Sequence, residues 1–262
     1  MREYLRLLGV FFRISFQDDA AYRGEFWMRL LTTLYALAAA VVGLWILFSN
    51  TDAIAGWNIY EVLILIGTFH VVGGVIRAVF APNFQRITEE VREGTLDFVL
   101  TKPANSQFLA SFRRIVAAAG LESVMGLLII GYGISQLPEG SNLYTAFAFA
   151  FALGCGLAVL YSFWLVLITF VFWFVRIENV TQIFWALFDA GRYPLDIYPG
   201  WLRIVVTFVV PVAAITTFPA QGLAGRLSPG SLAVYALLAA LSLYASSRFW
   251  QYGVRHYTSA SS

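Results

Sequence analysis

Apolar residues in this chain gather into long blocks separated by short polar stretches. Several blocks reach the ~20 residues that a helix needs to cross about 30 Å of hydrocarbon. They lack the alternating ~10-residue segments of a transmembrane barrel, so a helical bundle is expected. Blocks at 28–48, 59–80, 115–137, 144–175, 201–218 and 231–249 predict six crossings. Polar turns follow the first crossing at 49–56 and the third at Pro138, Glu139, Gly140, Ser141 and Asn142. The fourth block is longer than a bilayer requires and should tilt or project, with Arg176 and Glu178 closing it. Pro211 should kink the fifth, and 219–230 reads as a non-helical or re-entrant external connection.

Three segments depart from the spanning pattern. Within 1–27, Arg2, Arg6, Arg13 and Gln17 share a narrow sector of a helix that is otherwise Leu, Ile and Phe, which predicts a helix lying along the headgroups. Those arginines, with Glu3, also interrupt what would have to be the apolar core of a signal peptide. The loop at 81–114 is the one long polar stretch. In it Phe84, Ile87 and Val91 recur at helical spacing, and Gly94 is placed to end that helix in the left-handed conformation. Between 178 and 200 the apolar run Val180 to Phe188 is too short to span and is followed by Asp189, Arg192, Pro194 and Asp196. Residues 178–190 therefore read as a second amphipathic, interfacial helix on the cytoplasmic side.

Composition sharpens this picture. A chain that is 60% hydrophobic and 12% charged, with mean hydropathy +0.74, lies outside the soluble range. Cys155 is the single cysteine, which excludes an internal disulfide, a CxxC pair and a cysteine-rich metal site. A net charge of +2 gives no reason to expect nucleic acid. Of the 17 lysines and arginines, all but Arg226 fall on one side of the six-crossing topology, which places both termini in the cytoplasm. The expectation is an all-α, polytopic membrane protein forming a single domain over 1–262.

The stretch Glu90-Val91-Arg92-Glu93-Gly94-Thr95-Leu96-Asp97-Phe98-Val99-Leu100-Thr101-Lys102-Pro103 is followed by Asn105-Ser106-Gln107-Phe108. A second run is Gly191-Arg192-Tyr193-Pro194-Leu195-Asp196-Ile197-Tyr198-Pro199 with Trp201-Leu202-Arg203, then Phe208-Val209-Val210-Pro211 and Phe218-Pro219-Ala220. In this order and topology the two resemble type-2 ABC transporter permeases of the six-helix prokaryotic branch. The resemblance implies a permease in the bacterial inner membrane, more often an exporter of lipids, glycans or hydrophobic molecules. It would pair with a second permease, identical or homologous, and with two cytoplasmic ATPase subunits. In that family the loop between the second and third crossings carries a coupling helix. By position, Phe84, Ile87, Glu90, Val91, Gly94, Thr95, Leu96 and Asp97 are then implied to contact the ATPase. The N-terminal helix corresponds to an interfacial connecting helix.

The chain is not expected to be the motor. A phosphate-binding P-loop requires GxxxxGK[ST], yet Lys102 is the only lysine and follows a threonine. ATP and magnesium would be bound by the partner, with no cofactor, metal or catalytic residue in this chain. Gly24, Gly43, Gly120, Gly126 and Gly131 then read as small residues for helix packing. His70, Arg77 and Glu122 are the ionisable residues within the crossings, about 15, 5 and 12 Å deep at ~1.5 Å per residue. They fit a polar network joining the second and third crossings, a contact for a polar substrate group, or a proton relay. Along the fourth crossing, Trp164, Phe170, Phe172, Trp173 and Phe174 fit packing, or a surface for a lipid-like substrate. Two other classes remain: an intramembrane enzyme using His70 and Glu122, which lacks HExxH and GxSxG, and a non-catalytic scaffold or channel.

Overall fold

The computed structural model describes residues 2–21, 23–137, 142–174 and 178–257. The expected turn at Pro138–Ser141 and the expected end of the fourth crossing at Arg176 lie outside them. Among the described residues the fold is helical, with one isolated bridge between Ile54 and Trp57 and no strand. This is the all-α, polytopic membrane architecture that the hydropathy implies. The helices are α1 (Arg2–Ala21), α2 (Arg23–Phe48), α3 (Ile59–Val75), α4 (Ala81–Glu93), α5 (Asp97–Leu100), α6 (Ser106–Phe112) and α7 (Gly120–Ser135). There follow α8 (Leu143–Phe170), α9 (Glu178–Asp189), α10 (Gly200–Ile204), α11 (Val212–Ile215), α12 (Thr217–Leu223) and α13 (Pro229–His256). Among the described residues five spans are long and apolar enough to cross a membrane, and a further apolar stretch over 200–223 is bent.

The second crossing does not stop at Phe80. A π-turn over Ile76–Phe80 joins α3 to α4, giving one rod from Ile59 to Glu93. Pro82 sits in this rod and has no N–H for the Ala78 carbonyl one turn back. The N–H of Val116 donates to that carbonyl instead, at 2.8 Å. Asn83 adds a second stitch, donating to Val79 O and Arg114 O at 2.6 Å each and accepting from Arg114 N at 2.9 Å. The start of the third crossing is thus tied to the π-turn. Gly94 ends α4 at φ 70°, with its N–H on Glu90 O and Val91 O, as its spacing predicts.

Helices α3 and α7 run antiparallel in close contact, with Gly67 against Gly126 and Gly133 against Ile64. Of the five glycines expected at packing contacts, only Gly126 is at one. Beside Gly24, Gly43, Gly120 and Gly131 there is open space. Helices α8 and α13 run parallel, since Tyr144 donates to Leu227 O at 2.7 Å while Phe170 packs edge-on against Phe249. The start of α1 and the end of α13 share one end with α4 to α6: Tyr4 packs on Phe108, and Trp250 donates to Ser106 Oγ.

The segment after α8 departs from the sequence reading. It does not lie across the end of the bundle but runs along α3 from one end to the other. Thr181 and Gln182 face Gln85 and Arg92 of α4, and Trp185 lies under the Arg77 guanidinium. Farther along, Phe188 stacks on Phe69 and Asp196 accepts from Trp57 Nε1 at 3.5 Å, beyond the far end of α3. The charges that follow the short apolar run are matched: Arg192 pairs with Asp189 at 2.9 Å and stands over the Phe69 ring, and Asp196 meets Arg203. Residues 200–223 are correspondingly not a straight fifth crossing. A π-turn over Val205–Val209 ends at Val210–Pro211, and the halves meet at 65°. The second half is helical to Leu223, with Gly156 of α8 against Ala214 and Gly222 against Phe149.

Arg226 closes this far end. It donates to Glu61 Oε2 at 2.6 Å and Gly56 O at 2.7 Å, and stands over the Trp57 ring at 4.7 Å. Through Trp57 and Asp196 the latch reaches Arg203, so Arg203 lies at the Arg226 end and not with the other arginines.

Candidate functional site

His70, Arg77 and Glu122 meet. α3 carries His70, the π-turn carries Arg77, and the first turn of α7 carries Glu122, where the helix dipole favours a carboxylate. Arg77 donates to both oxygens of Glu122, at 2.9 and 2.7 Å. His70 Nδ1 lies 3.1 Å from Glu122 Oε1, within hydrogen-bond distance. Gly73 makes the convergence possible: a Cβ there would stand 2.9 Å from the Arg77 guanidinium and 3.1 Å from Glu122 Oε1. The α9 aromatics cover the group, with Trp185 beneath Arg77 at 4.6 Å and Phe188 beside Gly73. No metal-ligand cluster occurs among the described residues. The neighbouring hydroxyl, Ser123, donates to Val71 O at 2.8 Å and is not aimed at the carboxylate.

The segment expected to meet an ATPase is built differently from the expectation. Phe84, Ile87, Val91 and Leu96 are at most 9% exposed and belong to the protein's own core, where Phe84 meets Trp164 edge-on. They anchor α4 and offer no surface to a partner. Glu90 is engaged within the chain, by Arg86 at 3.0 Å and by Arg113. Burial, with Arg86 alongside, pushes Arg113 down to about 10, which leaves it charged at neutral pH. Gly94 forms the cap, Thr95 N–H donates to Glu90 O, and Asp97 begins α5, both residues half-buried.

The solvent side of this segment carries Gln85, Glu89, Arg92 and Glu93, with Phe98 at the tip 73% exposed. A groove of about 440 Å³ runs beside them, closed on its other side by Thr181 and Gln182 of α9. The spacing of Gln85, Glu89 and Arg92 at i, i+4 and i+7 marks one polar helix face in the sequence; Thr181 and Gln182 left no such signal. A charge at an anchoring position should therefore act on folding. Val91→Asp is expected to cost several kcal/mol through an unpaired buried carboxylate. The check is folded, detergent-soluble protein by size-exclusion fluorescence, which should fall many-fold for Val91→Asp and stay at wild-type level for Glu89→Arg.

Residues 34–261 match the protein family described as ABC-2 family transporter protein. The chain belongs to the ABC-2 transporter family. No curated protein and no solved structure matches it. As an ABC-2 chain it is a multi-pass membrane protein and a permease component of an ATP-binding-cassette system. The matched span takes in the polar group, the anchored α4 and the bent pair.

In this ABC-2 chain the aromatic run of the fourth crossing serves mostly as packing. Trp164 is buried among Phe84 and Phe184, and Phe172 meets Trp250 and Tyr257. Trp173 stacks on Phe249 and Tyr252, whereas Phe174 is 60% exposed.

Proposed function

We propose that this chain is the membrane half of an ATP-driven exporter for a hydrophobic, lipid-like or glycan substrate. Two separate ATPase subunits bind ATP and magnesium, and a second permease, identical or homologous, completes the pathway. The observation that carries this reading is the continuous rod from Ile59 to Glu93. Its membrane half holds His70 and Arg77, and its far half shows a polar face beside a groove. A rigid helix conveys displacement where a flexible loop would absorb it. Because Phe84, Ile87 and Val91 fasten α4 to the core, a push on its outer face moves the π-turn and, through Arg77, the contact with Glu122. The ATPase then touches Gln85, Glu89, Arg92, Glu93 and Phe98 rather than the buried positions.

The orientation follows from charge. The end shared by the start of α1 and the end of α13 carries Arg6, Arg13, Arg86, Arg92, Lys102, Arg113, Arg114, Arg248 and Arg255, and the opposite end Arg203 and Arg226. The positive-inside rule puts the first end in the cytoplasm of a bacterial inner membrane. With 178–198 running along α3 and 200–223 bent back, the end of α13 stays on that side.

Co-purification from native membranes tests the proposal. A tagged chain in mild detergent should bring down a P-loop subunit, one per permease chain. Glu89→Arg combined with Phe98→Ala should reduce the recovered ATPase at least tenfold at unchanged permease yield. A wild-type chain that elutes alone in several detergents, or a variant that keeps its ATPase, would overturn the reading.

A further inference from the structure

The bend at Val210–Pro211 opens a chamber of about 750 Å³ between the bent pair and the parallel helices α8 and α13. That lies within the ~300–1,000 Å³ range of small-molecule sites. Phe163, Phe170, Pro211, Leu238, Ala245 and Phe249 are among its walls, and the exposure of Leu238 and Ala245 opens it sideways. Broken backbone at membrane depth is tolerated where it is buried or lines a cavity, and here it lines one.

Five hydroxyls also border the chamber, and each donates to main chain. Ser162 donates to Ala158 O at 2.8 Å, Thr207 to Arg203 O at 2.6 Å, Ser242 to Ala239 O at 2.9 Å and Ser246 to Leu243 O at 3.2 Å. Tyr235 donates to Ala214 O. With those hydrogens spent, the wall offers hydrocarbon. A second cavity of about 430 Å³ adjoins it, sharing Phe218, Tyr235 and Leu238, and its lining changes to Gln221, Arg226 and Ser231. Arg226 is held by Glu61 and Gly56, while the Gln221 carboxamide has no hydrogen-bond partner among the described residues.

We infer that the two cavities form one binding site for an amphiphile, with an acyl chain in the α8–α13 chamber and a hydrogen-bonding head against Gln221 and Arg226. This rests on the exporter reading only for the idea that such a molecule is cargo; the binding itself needs no ATPase. Its chemistry fits a lipid taken sideways from the bilayer, because one compartment matches hydrocarbon and the other lies at the Arg226 end.

The test is photolabelling of the detergent-purified protein, returned to phosphatidylcholine vesicles, with a lysophosphatidylglycerol carrying a diazirine near its chain end. Adducts mapped by mass spectrometry should concentrate on 159–170 and 234–249 several-fold above α2, the least buried span. Ala245→Trp, which fills the side opening from an exposed position, should cut those adducts about tenfold and leave labelling of α2 unchanged. Gln221→Leu should weaken labelling by the lysolipid several-fold while a diazirine-bearing alkane labels as before. Equal adduct density on α2, α8 and α13, or indifference to Ala245→Trp, would overturn the site. So would a disulfide between copies formed by Ala245→Cys in a Cys155→Ser background, because a second chain would then occupy the opening. Labelling that persists when no ATPase co-purifies leaves this site standing and removes the exporter reading. A bound ATPase without localised labelling does the reverse.

Discussion

Glu122→Leu is expected to destabilise the permease by about 3 kcal/mol or more, the range for removing one partner of a buried ion pair. The carboxylate is 13% exposed and takes both Arg77 bonds and the His70 contact, so its loss leaves a guanidinium and an imidazole facing apolar leucine. Charge within the bilayer is tolerated when paired or hydrated, and Arg77, at 38% exposure, is less enclosed than Glu122, which places the effect at the lower end. The double variant Arg77→Met with Glu122→Leu should recover at least half of the loss, since no unpaired arginine remains. Thermal unfolding in detergent, followed by the decay of the monodisperse peak, measures both. Equal loss in the single and double variants would mean that the pair contributes nothing as a pair. In the working transporter the double variant has a second use: with its melting point restored, any deficit in ATP-driven transport belongs to the link between α3 and α7.

Gly126→Val should be still more damaging, with little folded protein recovered. A Cβ at Gly126 would lie 2.6 Å from the Gly67 carbonyl oxygen and 2.7 Å from the Val71 nitrogen, both main-chain atoms. Neither can turn aside as a side chain would, so α3 and α7 must part and the polar group they hold together parts with them. Overpacking costs about 1–3 kcal/mol even where side chains can yield, and main chain against main chain should exceed that. The same helix supplies the control. A Cβ at Gly131 meets nothing within 4 Å, so Gly131→Ala should be neutral or stabilising by up to ~1 kcal/mol through helix propensity. If both substitutions behave alike, close approach at Gly126 is not what joins the helices.

The glycines show what sequence spacing leaves open. Gly126 and Gly131 stand on one helix with similar apolar neighbours, yet one touches backbone and the other faces open space. Small residues permit contact; only the partner's position says which of them use it. The same holds for α4. The periodicity of Phe84, Ile87 and Val91 foretold a helix with an apolar face, and Gly94 its end. An apolar stripe is equally suited to a partner's cleft and to the protein's own core. The choice fell to the core because the rod from α3 holds that face against α8.

The sequence by itself determined that the chain is helical and lives in a membrane, since crossing length and composition are local properties. It also brought out His70, Arg77 and Glu122, because charge inside an apolar block stands out wherever the block packs. Tertiary structure decided where the segment after α8 runs. In 178–200 an apolar run too short to span is followed by Asp189, Arg192 and Asp196, and yet the segment runs along α3: Arg192 meets Asp189, Asp196 meets Arg203, and Trp57 reaches Asp196 from 139 residues away. The cost of placing a charge in low dielectric depends on partners brought close by folding. Hydropathy scores each residue alone, so the route of α9 along α3, the bend at Pro211 and the chamber beneath it follow only from how the helices pack.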